Sequence, residues 1–566
     1  MQQLIECVPN FSEGQNLEII RQITDVIEKS EGVKLLDVDP GYSTNRTVVT
    51  FVGEPNAVVA AAFQVICTAQ KLIDMRRHHG DHPRFGATDV CPLVPVAGIT
   101  MEETAEYARQ LAKRVGEELQ IPVYCYENAA FEEKRRNLAN CRNGEYEGLK
   151  DKLSAPDWKP DFGPAQFTES VAKSGASAIG ARDFLIAVNY NLNSTSTRRA
   201  NAIAFDVREK GRPMREGNPI SGKIVKDADG NTVHIPGTLK GTKAIGWFIE
   251  EYGIAQVSMN ITSTIQTPLH VAFDEVCSKA AQRGIRITGA EIVGLVPKKA
   301  LLDAGKYYLA KQQRSLGVSE RELIKIAVKS MGLDDLKPFI PEEKVIEYLL
   351  EKDSKAKRLI DMSFLDFTNE TASESPAPGG GSISACMGAL GAALATMVAN
   401  LSSHKRGWDD RWELFSQWAE KGQKIKDDLL WLVDEDTSAF NKIMDAMSLP
   451  KGSEQEKAAR KQALDEATRY AIEVPFKTVQ RAFEVFELCE AMIENGNPNS
   501  VSDAGVGALC AKAAVTGAYL NVKINAAGLE DKAFAAEITY KAYDYVQKSN
   551  KLEKELLEKV EKIIER

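Results

Sequence analysis

Apolar positions along the first 127 residues follow two alternating periods. A period of two marks short strands at 4–8, 33–38, 47–52, 89–96 and 122–126, and a period near 3.6 marks helices between them. The stripe Leu17, Ile20, Ile23, Val26, Ile27 predicts an amphipathic helix. A second helix starts at Pro55, where proline suits the first turn, and runs to about 75. Thr100 with Glu103 forms a capping box that opens a third helix, running to about 119. Asp39-Pro40-Gly41 supplies turn chemistry between 33–38 and 47–52, so these strands pair as a hairpin. The order is βαββαβ, and it recurs with strands at 184–190, 244–251, 255–261 and 291–296 and helices at 196–209 and 267–283. The pattern therefore predicts two α+β, ferredoxin-like subdomains, 1–183 and 184–351, each a sheet covered by helices on one face. The polar, glycine-rich segment 211–243 reads as a surface excursion with its own hairpin at Asp229-Gly230.

Beyond residue 351 the strand pattern disappears. Residues 352–359 are charged and aperiodic, a linker, and 360–566 read as an all-α domain. Two runs of small residues, 383–401 and 504–526, suit close helix–helix packing, with Gly388 and Ala392 four apart in the first. The first run is long enough to cross a bilayer, yet its Ala, Gly, Ser and Thr content favours the centre of a helical bundle. Leu552, Leu556, Val560 and Ile563 predict an amphipathic terminal helix.

At 566 residues the chain is too long for one hydrophobic core. Lys and Arg number 71 against 80 Asp and Glu, a formal charge of −9, which gives no electrostatic reason to expect nucleic acid or an anionic membrane as partner. Nine cysteines without a CxxC pair do not form a disulfide framework or a structural zinc site. The opening MQQLIECVPNFSEG has neither the basic run nor the apolar stretch of a signal peptide, so a cytoplasmic protein is expected.

Candidate chemistry concentrates in a few segments. Residues 78–86 hold three of the six histidines. His82, placed in extended backbone by Pro83 just before a strand, suits a general acid–base near neutral pH, whereas His78 and His79 read as surface histidines. His78 and His82 with Asp81 also resemble a metal ligand set, but Gly80 and Pro83 break the helix that would put both imidazoles on one face. No metal is expected. In the hairpin loop, Asp39 can stabilise an imidazolium and Arg46 can clamp a carboxylate; ordinary loop solvation fits the same residues. Gly163 and Pro164, through to Ser174 and Gly175, form a loop where a flat ligand could approach the backbone, or a simple linker. Gly379, Gly380 and Gly381 lead into the 383–401 helix, exposing N–H groups that suit an anion or merely permitting tight packing.

The sharpest inference concerns Asp434-Glu435-Asp436. Their helix carries an apolar stripe at Ile425, Leu429, Leu432, Phe440, Ile443 and Met447. Asp436 falls on that stripe, while Asp434 should face outward. A carboxylate on a buried face is costly unless paired, and its pKa shifts. It is either a hydrogen-bonded structural acid or a catalytic one.

With those residues in view, the chain resembles the formimidoyltransferase-cyclodeaminase family. ECVPNFSEG at 6–14, LLDVDPG and STNRT within 35–47, GDHPRFGATDVCP at 80–92 and DWKPDFGP at 157–164 are similar to its transferase half. APGGGS at 377–382, VDEDTSAF at 433–440 and SD at 502–503 are similar to its cyclodeaminase half. The resemblance implies a multifunctional transferase and ammonia lyase of histidine and one-carbon metabolism. It would move the formimino group of N-formimidoyl-L-glutamate to tetrahydrofolate, a polyglutamylated folate included. It would then cyclise 5-formimidoyltetrahydrofolate to 5,10-methenyltetrahydrofolate with loss of ammonia. His82 would shuttle the proton of transfer, Asp39 and Arg46 would bind substrate, the 163–175 loop would line the folate site, and Asp436 would be the cyclodeaminase acid. A homo-oligomer is implied. The residues by themselves leave open a metal-dependent amidine or amide hydrolase, or a folate-binding protein with one active half.

Overall fold

The computed structural model describes residues 3–42, 45–80, 84–219, 221–351 and 358–565. They form two compact units, 3–301 with 328–351 and 302–327 with 358–565.

The first unit contains both predicted repeats. Strands β1 (Leu4–Cys7), β2 (Val33–Gly41), β3 (Arg46–Gly53) and β4 (Thr88–Ala97) pair in the order β2-β3-β1-β4, antiparallel throughout. Strands β5 (Val123–Glu127) and β6 (Ser177–Ala181) extend the β4 edge in parallel. The second repeat, β7 (Ile186–Leu192), β8 (Thr242–Ile249), β9 (Ile254–Ile261) and β10 (Ile287–Val293), pairs in the equivalent order β8-β9-β7-β10. Helices α1 (Leu17–Glu28), α2 (Pro55–Leu72) and α3 (Met101–Glu118) cover the first sheet, and α4 (Thr197–Val207) and α5 (Leu269–Ala281) cover the second. The Thr100–Glu103 capping box is formed as read. The closing strand of the second repeat begins four residues earlier than expected and stops before Gly294, whose φ of +71° turns the chain out. Strand β6 escaped the sequence reading: SAIGA is short, small-residued and buried throughout, so no alternation betrays it. The 211–243 excursion carries the small hairpin Arg212–Pro213 with His234–Ile235 and a turn at Gly230.

Strand alternation sets what each face does. Ile5, Cys7, Val49 and Phe51 pack into the helix-covered core. Their alternates Glu6, Val48 and Thr50 point away from the helices and line a cavity.

The second unit is a helical bundle of α6 (Gly380–Ser403), α7 (Trp412–Ser448), α8 (Glu454–Asn495), α9 (Val501–Ala527) and α10 (Lys532–Ile564). By length and composition α6 could span a membrane, but most of that window is buried in the bundle. It packs closely on α9 where Gly391 faces Gly507, because neither glycine has a side chain to hold the helices apart. Pro475 inside α8 has no N–H for the Ala471 carbonyl four residues back, and Asn525 Nδ2 donates to that carbonyl instead, at 2.7 Å. Residues 302–327 join this unit through Gly317, whose carbonyl accepts from Asn400 Nδ2 at 2.9 Å and Gln423 Nε2 at 3.1 Å. Leu556 and Val560 of the predicted terminal stripe are buried. The α7 stripe holds at Ile425, Leu429 and Leu432, and Ile443 still packs against the bundle core. Phe440 and Met447 are exposed, because towards its C-terminal end α7 has fewer neighbouring helices to cover the stripe.

Candidate active sites

The cavity of the first unit has a volume of about 770 Å³ and lies between the helix-free faces of the two sheets. One wall carries Glu6, Asn10, Asp37, Asp39, Arg46 and Thr50, and the other carries Lys243, Asn260 and Thr262. Asp39 sits opposite Val48, and Arg46 is two residues from Val48 on the same face. That diagonal puts the two backbone positions about 7–8 Å apart. Both predicted substrate-binding residues therefore reach one cavity.

Arg46 arrives already paired, at 2.9 Å from Asp89. Arg142 pairs with the same carboxylate at 2.8 Å, and Asp89 Oδ1 accepts from the Phe85 N–H at 3.1 Å. Two guanidiniums thus share one fully buried carboxylate at the cavity wall. Asp89 went unnoticed in the sequence, where it is one polar residue in a strand. Burial lowers the Arg46 pKa, and Asp89 opposes that shift.

His82, with Asp81 and Pro83, lies outside the described residues. His78 departs from expectation. It is buried rather than on the surface, and its Nε2 lies 2.7 Å from the Asn45 carbonyl, because the chain after α2 folds back onto the hairpin turn. Burial lowers its pKa, favouring the neutral imidazole. His79 is exposed, as read. Among the described residues no three His, Cys, Asp or Glu side chains cluster as metal ligands.

Gly163, Pro164, Ser174 and Gly175 do not line this cavity. Gly163 has φ +85° and packs on the Ile121 carbonyl, and Gly175 has φ +67° and packs on Phe85 and Gly86. The Ala87 N–H donates to the Ser174 carbonyl at 2.7 Å. The close approach anticipated for a ligand is made here by the protein's own backbone, which positions 84–87.

In the helical unit, Gly379 is the N-cap of α6, and Gly380 and Gly381 are its first two residues. Asp436 of α7 lies against them. Its Oδ2 accepts from the Ser382 N–H at 2.9 Å and is 3.2 Å from Ser382 Oγ. Ser382 Oγ is also 2.9 Å from the Val433 carbonyl, so one hydroxyl proton has two acceptors. A Cβ on Gly381 would collide with Asp436 Oδ1, so only glycine lets the carboxyl reach the helix end. Burial raises the Asp436 pKa, with the Ser382 hydrogen bonds opposing. Asp434 points elsewhere and accepts the Leu359 N–H at 2.5 Å. Asn521 of α9 faces Gly380, a residue that sequence periodicity does not single out. The arrangement offers a carboxylic acid of raised pKa beside helix N-terminal N–H groups, suited to protonating a leaving nitrogen.

Three family models match in chain order: "Formiminotransferase domain, N-terminal subdomain" over 4–182, "Formiminotransferase domain" over 187–351 and "Formiminotransferase-cyclodeaminase" over 363–544. The chain is 42% identical to the formimidoyltransferase-cyclodeaminase of Gallus gallus over 537 residues, 95% of each chain. Its first half is 43% identical to the glutamate formimidoyltransferase of Thermoplasma acidophilum, over 54% of this chain and 92% of that one. Over 171 residues, 30% of this chain and 82% of the other, it is 42% identical to the methenyltetrahydrofolate cyclohydrolase of Methylorubrum extorquens. With two stacked βαββαβ sheets, a helical bundle and near-full-length identity of this order, the chain belongs to the formimidoyltransferase-cyclodeaminase family.

Proposed function

We propose that the first unit transfers the formimino group of N-formimidoyl-L-glutamate to tetrahydrofolate and that the helical unit cyclises the product, releasing ammonia. The observation that carries the reading is Asp436, an acid of raised pKa held against the glycine turn at the start of α6. In the first reaction N5 of tetrahydrofolate attacks the amidine carbon and loses a proton, while the departing glutamate nitrogen gains one. His82 carries that proton, Asp39 stabilises the cationic state, and Arg46 and Arg142, held in place by Asp89, receive a substrate carboxylate. Ser174 and Gly175 act by bracing the strand start at 84–87. In the second reaction N10 attacks the same carbon and its proton passes to the imine nitrogen, Asp436 then protonates the resulting amino group of the tetrahedral intermediate, and ammonia leaves a 5,10-methenyl bridge. The N–H groups of Gly380 and Gly381 orient an anionic part of the folate. We place this chemistry in a cytoplasmic homo-oligomer that needs no metal. Leu390, Met397 and Leu401 of α6 with Val506 and Leu509 of α9 are exposed apolar residues that support self-association.

A coupled assay following glutamate, ammonia and methenyltetrahydrofolate separately tests the reading. Transfer is expected to fail in His82→Ala, and Asp436→Asn is expected to accumulate 5-formimidoyltetrahydrofolate. Absence of folate-dependent turnover in folded wild type would overturn it. The similarity of the helical half to a methenyltetrahydrofolate cyclohydrolase favours a second reading, in which the same acid assists water in opening the methenyl bridge. Loss of added methenyltetrahydrofolate, dependent on Asp436, would support that activity.

A further inference from the structure

The transfer chemistry leaves one buried acid unused. Glu6 opens the ECVPNFSEG segment and sits on β1 between Val52 of β3 and Val94 of β4, on the sheet face that lines the cavity. It is 3% exposed. Among the described residues no cation lies within ion-pair distance of its carboxyl and no hydrogen-bond donor reaches it, in contrast to Asp89 with its two guanidiniums. Burial pushes its pKa up to about 7, with Arg182 pulling it down and Glu347 pushing it up. Cys7, its chain neighbour, is a neutral thiol whose own pKa burial raises. Arg182 spends one N–H on the Asp183 carbonyl.

A buried carboxyl without a partner is costly to ionise. Donors from a ligand in the cavity would remove that cost. A carboxylate pairs best with a planar N–C–N edge presenting two N–H groups in parallel. Both substrates of the proposed transfer have one: the amidine of N-formimidoylglutamate, and the pyrimidine edge of the tetrahydropterin with its ring N–H and exocyclic amine. Position separates the two. Val52, opposite Glu6, is four residues along β3 from Val48, opposite Asp39, or about 13 Å. Glu6 and Asp39 also flank β3 on opposite sides, so the two positions are about 16 Å apart on one sheet face, with room for a flat bicyclic ring between them. An amidine at Asp39 would be out of reach of Glu6.

Resting on the proposed transferase function, we propose that Glu6 binds substrate in this cavity through a paired N–H edge, that of the tetrahydropterin ring. In the empty cavity Glu6 holds its proton in about half of the molecules at pH 7. Binding of the paired donors stabilises the carboxylate, so the proton leaves as the ring enters.

The test uses the full chain, wild type and Glu6→Gln. Calorimetry of tetrahydrofolate binding at pH 7, in two buffers of different ionisation enthalpy, counts released protons. Kinetics give KM for each substrate. Wild type is expected to release about half a proton per site and Glu6→Gln none. The KM for tetrahydrofolate is expected to rise about ten- to a hundredfold with that for N-formimidoylglutamate little altered. A rise confined to N-formimidoylglutamate would keep Glu6 as a binder of the paired N–H edge but assign it to the amidine and overturn the pterin assignment. A Glu6→Gln protein that is folded by circular dichroism, with wild-type KM values and wild-type proton release, would overturn the proposal. Wild type that turns over neither substrate would instead overturn the transferase reading, so the two failures are distinguishable.

Discussion

Replacing Glu6 by Gln should stabilise the first unit as pH rises, even while it weakens substrate binding. The carboxyl titrates near 7 in the folded chain against 4.5 for the ordinary group. Its folded pKa is raised, so below about 4.5 the proton is bound in both states and Glu6 costs nothing. Between about 4.5 and 7 the unfolded chain ionises while the folded chain still holds the proton, and folding is progressively penalised. A shift of this size corresponds to about 3 kcal/mol in full, of which about 2.5 kcal/mol develops between pH 5 and 8.5. Because the side chain is almost wholly buried, little solvent screening reduces that figure. The assay is urea unfolding of both proteins across that pH range, monitored by hydrogen exchange in β1 and β3. Subtracting one pH profile from the other cancels every other titrating group. The difference should open by about 2.5 kcal/mol in favour of Glu6→Gln at the alkaline end. Parallel profiles would mean that Glu6 ionises freely in the folded chain, and the argument from its missing partners would fall.

The remaining expectations concern both sites. Asp89→Asn leaves Arg46 and Arg142 buried without their shared anion and should cost about 3–5 kcal/mol of stability, together with transferase activity, while ammonia release from added 5-formimidoyltetrahydrofolate persists; a melting profile and product analysis check it. Gly381→Ala forces a methyl group into Asp436, so cyclodeamination should fall steeply, with about 1–3 kcal/mol of destabilisation and glutamate release retained. In the proposed mechanism Asp436 acts as an acid, so cyclodeamination should decline as pH rises through its pKa. Ser382→Ala removes a hydrogen bond that lowers that pKa, so the alkaline limb of the kcat profile should move to higher pH; a shift toward lower pH would contradict the assigned role.

Short-range order was readable because it is written in nearest-neighbour chemistry. Strand alternation, the 3.6-residue helical stripes, Pro55 at a helix start and the Thr100–Glu103 box act over a few residues, so both βαββαβ repeats and the helical half could be traced from the chain alone. The same logic brought Asp436 onto an interior face and Asp39 and Arg46 onto one side of a hairpin. It misjudged Phe440 and Met447 because periodicity says which side of a helix is apolar, not how far the neighbouring helices extend along it. It took His78 for a surface residue because the carbonyl that meets it belongs to Asn45, 33 residues away. Gly163 and Gly175 have the freedom expected of them, but that freedom serves backbone-to-backbone packing. Other features exist only once distant strands and helices are assembled. The cavity needs two sheets face to face, Asp89 needs guanidiniums from two other segments, and Gly381 acquires its meaning from an aspartate 55 residues later. Burial and pairing depend on three-dimensional neighbours, so the sequence marked where acids and glycines stand, and the tertiary structure decided which are paired, which are braces and which, like Glu6, are left without a partner.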